Sequence, residues 1–356
     1  MRDILRSYGW SEYFESRLAA LGRPDVQPGR VVETQRGRLS LQTASGPCEA
    51  TVAGRLRRPG AGADLPVVGD WTAFWPAPAG GPSVVTHVLE RRSRLSRKVA
   101  GARSEEQVVA ANVDLVLLMM GLDGDFNPRR LERFLALAEA GRVDAAVVLN
   151  KADICDDPEP KLLAVRAVTS APILMVSALT GDLSALQLLL EPGRTAAVLG
   201  SSGVGKSTLV NHLLGEVVLE TRGVRESDSR GRHTTTHRQL VRLPGGSLII
   251  DSPGVREIQP WSEGRDALAA VFDDVEALAG SCRFSDCSHD VEPGCAVREA
   301  IERGELDEAR LASLRKLRRE SEALERRRDE RCRREHDRRL GKLYRSAQRE
   351  KRKRWS

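Results

Sequence analysis

The chain has 356 residues, of which 40% are hydrophobic, only 4% aromatic and 30% charged, with a net charge of +6 and a pI near 9.2. That length exceeds one ordinary domain, and the apolar content is enough for two or three cores. No apolar run reaches the length of a membrane span, and the charged start MRDILRSYGW lacks the apolar centre of a secretion signal, so a cytoplasmic protein without a membrane partner is expected.

The charge is unevenly placed. Residues 308–356 hold 20 Lys and Arg against 9 Asp and Glu, a net of +11, which leaves −5 for everything before them. Such a basic end points to a polyanionic partner. Of the six Cys, three (Cys282, Cys287 and Cys295) fall within fourteen residues, while Cys48, Cys155 and Cys332 are scattered. A metal cluster accounts for that distribution better than a disulfide framework.

In chain order, residues 1–28 contain LRSYGWSEYFESRLAALG, whose apolar spacing predicts one short helix ahead of a linker. Residues 29–98 hold short β-rich pieces (GRVVETQ, LSLQTA, EATVAGRLRR, DWTAFW, SVVTHVLE) separated by Gly, Pro and Ser clusters. These predict a small all-β barrel or sandwich, and about five strands suit an oligonucleotide-binding (OB) barrel; a β-domain without a ligand has the same pattern. Over residues 99–262, apolar runs such as VDLVLLMMGL and RVDAAVVLN alternate with helical stretches such as PRRLERFLALAEA. That alternation predicts a doubly wound α/β domain, with its ligand at the C-terminal ends of the strands. Residues 263–356 combine the Cys cluster with a helix, a turn near Gly304 and a longer helix running into the basic REKRKRW.

The stretch Gly200, Ser201, Ser202, Gly203, Val204, Gly205, Lys206, Ser207 and Thr208 fits G-x-x-x-x-G-K-[ST] between a predicted strand and a predicted helix. Its glycines let backbone N–H groups turn toward phosphates, Lys206 brings a cation to the outer phosphates, and the Ser207 hydroxyl can ligate Mg²⁺. Asn150, Lys151 and Asp153 stand in NKAD at a strand end. A carboxylate in the base plane accepts from guanine's ring N–H and amine together, whereas adenine leaves it unpaired, so Asp153 favours GTP and GDP over a P-loop ATPase or kinase. Asn150 can read the opposite edge of the base, and the stem of Lys151 can lie over it. Ser177 and Ala178, at another strand end, add a backbone amide for the guanine carbonyl. In LIIDSPG, Asp251 suits the Mg²⁺ hydration shell and the Gly254 N–H suits the γ-phosphate. RGRHTTTHRQL is a candidate switch in which a Thr could reach Mg²⁺ and the γ-phosphate; three Thr also suit a plain edge strand.

These motifs stand in an unusual order: NKAD, then Ser177-Ala178, then the phosphate loop, the Thr run and D-x-x-G. The usual GTPase order begins with the phosphate loop, so this one is circularly permuted, and the same sheet follows if the old termini are joined and the chain is cut elsewhere. The Cys cluster CRFSDCSHDVEPGC supplies Cys282, Cys287, His289 and Cys295, a closed tetrahedral set for one structural Zn²⁺; unmetallated thiols or a disulfide are the alternative.

The permuted order, with RGRHTTTH, DSPGVRE, the Cys cluster and the junction RKVAGARSEEQVVAANVD, resembles the ribosome small subunit-dependent GTPase A family (RsgA or YjeQ) over about residues 29–300. The resemblance implies an N-terminal OB-type barrel, a permuted GTPase domain, a C-terminal zinc domain and a role in late maturation of the small ribosomal subunit. Val255 follows D-x-x-G where many GTPases carry a water-positioning Gln. The resemblance assigns that task to His233, with Thr235 as the switch Thr and Mg²⁺ ligand; His237 is a weaker competitor. It also favours rRNA phosphate as the partner of the basic tail, although such charge runs also occur as plain solvated helix faces. A monomeric GTP hydrolase stimulated by the ribosome is expected; a GTP-gated RNA-binding assembly chaperone with negligible turnover is the alternative.

Overall fold

The computed structural model describes residues 3–35, 37–57, 64–77, 81–98, 106–216, 238–251, 264–327 and 329–330. Where the sequence predicts one N-terminal helix, the structure has two, α1 (Asp3–Ser7) and α2 (Glu12–Ala19). The chain breaks at Gly9, whose φ of +84° suits no side chain and whose Cβ would stand 2.8 Å from Arg30 Nη1. Close approach to a buried arginine therefore overrides helical spacing. Past the break, Trp10 and Phe14 pack on Trp71 with ring centroids 4.7 and 5.8 Å away.

Five strands follow: β1 (Gln27–Gln35), β2 (Arg38–Thr43), β3 (Gly46–Val52), β4 (Trp71–Trp75) and β5 (Ser83–Val88). They pair in the order β1-β2-β3-β5-β4, and β4 returns to β1, so the barrel is closed. Alternation places Leu39 and Leu41 of β2 inside with Val31, Ala50, Phe74 and Val85. Within and just before the stretch that reads as a junction, β6 (Arg94–Lys98) and β7 (Glu106–Ala111) pair antiparallel as a separate two-stranded sheet.

The α/β region comprises β8 (Leu115–Gly121), α3 (Pro128–Gly141), β9 (Asp144–Asn150), α4 (Glu159–Arg166), β10 (Ile173–Met175), α5 (Ser184–Leu189), β11 (Thr195–Gly200), α6 (Lys206–Leu214), β12 (Arg238–Arg242) and β13 (Leu248–Asp251). Its strand order is β10-β9-β8-β11-β13-β12, parallel except for β12. All seven residues of β8 are buried, with Val116, Leu118 and Met120 in one core and Leu115, Leu117 and Met119 in the other. A continuous apolar run is the consequence of helices on both faces. At the far edge β12 pairs with β1 through Glu33–Gln239 and Thr34–Arg238, which merges barrel and α/β sheet.

The C-terminal region contains α7 (Gly264–Val271), α8 (Asp273–Ala279), α9 (Ala296–Glu302) and a helix over residues 308–327. The turn expected near Gly304 is present, with φ +74°. Phe272, Val275, Val297, Leu311 and Leu314 gather around Cys295, joined by Ala136 of α3. Arg310, 5% exposed, grips Asp274 at 2.6 and 2.8 Å and reaches the fully buried Glu132 of α3 at 3.1 Å. The basic end beyond residue 330 lies outside the described residues.

Candidate functional site

The phosphate loop leaves the buried strand β11 and enters α6 directly. Gly205, which precedes Lys206, has φ +99°, and a Cβ there would come within 2.4 Å of Asn150 Nδ2. Backbone conformation and a neighbouring side chain thus both demand glycine. The nine-residue α6 turns its free N–H groups and positive dipole end toward the loop, with Ser207 and Thr208 in its first turn. Lys206 Nζ donates to the Gly200 carbonyl at 2.7 Å and to that of Ser201, so the ammonium lies along the loop it serves.

Asn150 ends β9 and is 3% exposed. Its Nδ2 donates to Val204 O at 2.7 Å, and its Oδ1 accepts from the Ala178 N–H at 2.8 Å. One side chain therefore ties the NKAD loop, the phosphate loop and the Ser177-Ala178 loop together. The Ala178 N–H, the group expected to bond a guanine carbonyl, donates here to Asn150 Oδ1. Ser177 Oγ holds its own turn by accepting from the Thr180 N–H at 3.3 Å. His212 of α6 adds a ring-nitrogen contact to Ala178 O at 3.1 Å.

Lys151 adopts a left-handed φ of +67° and pairs with Asp123 at 2.6 Å. This hydrogen bond holds the Asp123 carboxyl below its ordinary pKa, burial opposing it. Asp153 sits exposed in a turn over Ala152–Ile154, open to a base. Asp251 closes β13, where it pairs with Gln239. His233, Thr235, His237 and Gly254 lie outside the described residues. Sequence reasoning missed Asp123 and Asp125, the second of which accepts from Ser201 Oγ. Their signal is an acidic pair just past the C-terminal end of a buried parallel strand, where ligands of such sheets bind.

Cys282, Cys287, His289 and Cys295 converge, with one donor atom of each within 4.8 Å of the others. His289 Nδ1 stands 3.6 Å from Cys282 Sγ and 3.5 Å from Cys295 Sγ, and the two sulfurs are 3.9 Å apart. Thiolates about 2.3 Å from a common tetrahedral ion stand about 3.8 Å apart, so the spacing fits a metal. Burial pushes the Cys282 thiol up, but the Val297 and Ala296 N–H groups that start α9, with Cys295 and Cys287, outweigh it and leave its pKa below 9.0. A thiolate-favouring position at a helix start is what a ligand cysteine requires.

A phosphate loop, an Asn-Lys-x-Asp strand end and this strand order define a P-loop GTPase with circularly permuted motifs, joined to a closed barrel and a helical Cys3His region. Comparison with known proteins agrees. The profile of the RsgA GTPase family matches residues 88–261. A protein of Opitutus terrae is 46% identical over 327 residues, 89% of each chain, and one of Syntrophotalea carbinolica is 40% identical over 325 residues, again 89% of each. Both are named small ribosomal subunit biogenesis GTPase RsgA. Among solved structures, YjeQ from Thermotoga maritima superposes with a TM-score of 0.60 at 27% identity, covering 83% of this chain and 98% of that one. YloQ, described as a circularly permuted GTPase, shares the fold with a TM-score of 0.58 at 23% identity, covering 84% and 96%. This chain belongs to the RsgA GTPase family, and its activity is GTP hydrolysis.

Proposed function

We propose that this GTPase acts in late maturation of the small ribosomal subunit, hydrolysing GTP to GDP and phosphate when docked on that subunit. The single observation that carries this reading is the 46% identity, across 89% of the chain, to a relative named for small-subunit biogenesis. The closed barrel and the basic 308–356 stretch support contact with rRNA, since both are suited to a polyanion. We assign zinc to the Cys3His cluster on its three thiolates and one imidazole, and Mg²⁺ to Ser207, Thr235 and Asp251 on their motif positions.

In this reading Asp153 selects guanine, Lys206 bears on the outer phosphates, Gly254 meets the γ-phosphate and His233 orients the attacking water. Val255 offers no polar group for that last task. The intrinsic rate is therefore slow, and electrostatics supplied by a partner are worth about 10³ to 10⁵ in rate. The protein works as a cytoplasmic monomer; among the described residues no helix is long and apolar enough to cross a membrane. Steady-state hydrolysis with and without purified small subunits, with ATP in parallel, tests the proposal. A large stimulation confined to GTP supports it. A slow rate unchanged by subunits supports a GTP-gated RNA-binding chaperone instead.

A further inference from the structure

We infer that Asp125 is a positioning residue of the GTPase reaction, setting the phosphate loop through the hydroxyl of Ser201. Asp125 lies between β8 and α3, 76 residues from Ser201, and its Oδ2 accepts from Ser201 Oγ. The first variable position of G-x-x-x-x-G-K-[ST] has no prescribed chemistry, so a hydroxyl bonded there to a carboxylate is this chain's own device.

The carboxylate is itself held. Its Oδ1 meets Arg130 Nη2 at 2.8 Å, and the same guanidinium donates to the Asp125 carbonyl. Arg130 is fixed in turn at the start of α3, where its N–H donates to the Asn127 side chain at 3.0 Å. The Asp125 N–H donates to Asp123 Oδ1 at 3.1 Å, so the Asp123–Lys151 pair abuts the same turn. On the other side of Ser201, its carbonyl accepts from Lys206 Nζ. A continuous series therefore runs from Arg130 through the Asp125 carboxylate and the two ends of Ser201 to the cation that serves the outer phosphates. The arginine also offsets a negative charge that would otherwise face an incoming triphosphate.

The Asp125 and Arg130 side chains remain 23% and 29% exposed, and ion pairs of that kind add little to folding stability. What the arrangement supplies is geometry. A hydrogen bond to an ionised acceptor is stronger and more directional than a neutral one, and small displacements of a catalytic cation cost rate steeply.

The test is hydrolysis by the full-length protein with Mg²⁺, comparing Asp125→Asn, Ser201→Ala, Ser201→Thr and the Asp125→Asn/Ser201→Ala double variant. The expected result is a kcat lowered by about tenfold in Asp125→Asn and Ser201→Ala, with KM and the unfolding midpoint unchanged. The double variant falls no further than Ser201→Ala, and Ser201→Thr, which keeps the hydroxyl, retains the parental kcat. Parental kcat in Ser201→Ala, losses that multiply in the double variant, or a Ser201→Thr as impaired as Ser201→Ala would each overturn the assignment. Should Asp125→Asn fail to fold, Ser201→Ala and Ser201→Thr decide the question alone.

Discussion

Arg30 Nη2 donates to Thr195 Oγ1 at 2.9 Å, joining a barrel strand to the first residue of the strand that leads into the phosphate loop. The guanidinium is 1% exposed and also reaches the carbonyls of Gly69 at 3.3 Å, Asn112 at 3.2 Å and Tyr8, with its carbon 5.5 Å from the Trp71 ring centroid. Burial pulls its pKa down to about 10, which leaves it charged at neutral pH. Arg30→Met should lower stability by about 3 kcal/mol or more, because several buried acceptors lose their donor at once. Arg30→Lys, which keeps the charge without the fork of donors, should recover only part of this. Urea unfolding midpoints check both variants; a Met variant as stable as the parent contradicts the keystone role.

Asp153 is the residue proposed to select guanine. Asp153→Asn should weaken GTP binding by about a hundredfold or more, because the base loses the acceptor for its ring N–H and amine together. Xanthosine triphosphate, with a carbonyl where guanine has an amine, should gain affinity for the variant. Competition titrations with both nucleotides measure the exchange; an unchanged GTP-to-xanthosine ratio would remove Asp153 from base recognition.

Asp123→Asn removes the partner of Lys151 and should weaken nucleotide binding by up to about fivefold, the range of a partly exposed ion pair. A carboxylate whose pKa is depressed on folding contributes fully above its ordinary value of 3.8 and loses that contribution as pH falls through the lower folded value. Parental affinity should therefore stay level in this respect from pH 8 to about 5, and the defect of the variant should be constant over that window. A defect that shrinks between pH 7 and pH 5 would show that another group carries the effect.

Metal analysis of the purified protein should return one zinc per chain, and Cys282→Ser should reduce that figure. Cys295, Cys282 and Cys287 share a core with Phe272, Val297 and Leu314, so an ion bound there would contribute on the order of 10 kcal/mol of folding free energy to the C-terminal helices. Chelation should lower the helical signal while GTP binding persists, because the phosphate loop rests on separate cores. Full helicity after chelation would indicate that the thiols are packed without an ion.

Local chemistry was legible in the amino-acid sequence. Gly205 and Lys206, the NKAD residues and the Cys-His cluster announce themselves because phosphates, guanine and a tetrahedral ion each demand particular residue types at short spacings. The apolar run of β8 and the alternation along β2 likewise report which faces are buried. The pairing of groups distant in the chain was decided only by tertiary structure. Asn150 meets Val204 across 54 residues and Ala178 across 28, Asp125 meets Ser201 across 76, and Arg30 meets Thr195 across 165. The break at Gly9 and the joining of β1 to β12 belong to the same class. Periodicity records how much of a residue is buried, whereas a hydrogen bond depends on which atoms the closed fold brings within about 3 Å, and that distance is set by the packing of all the elements together.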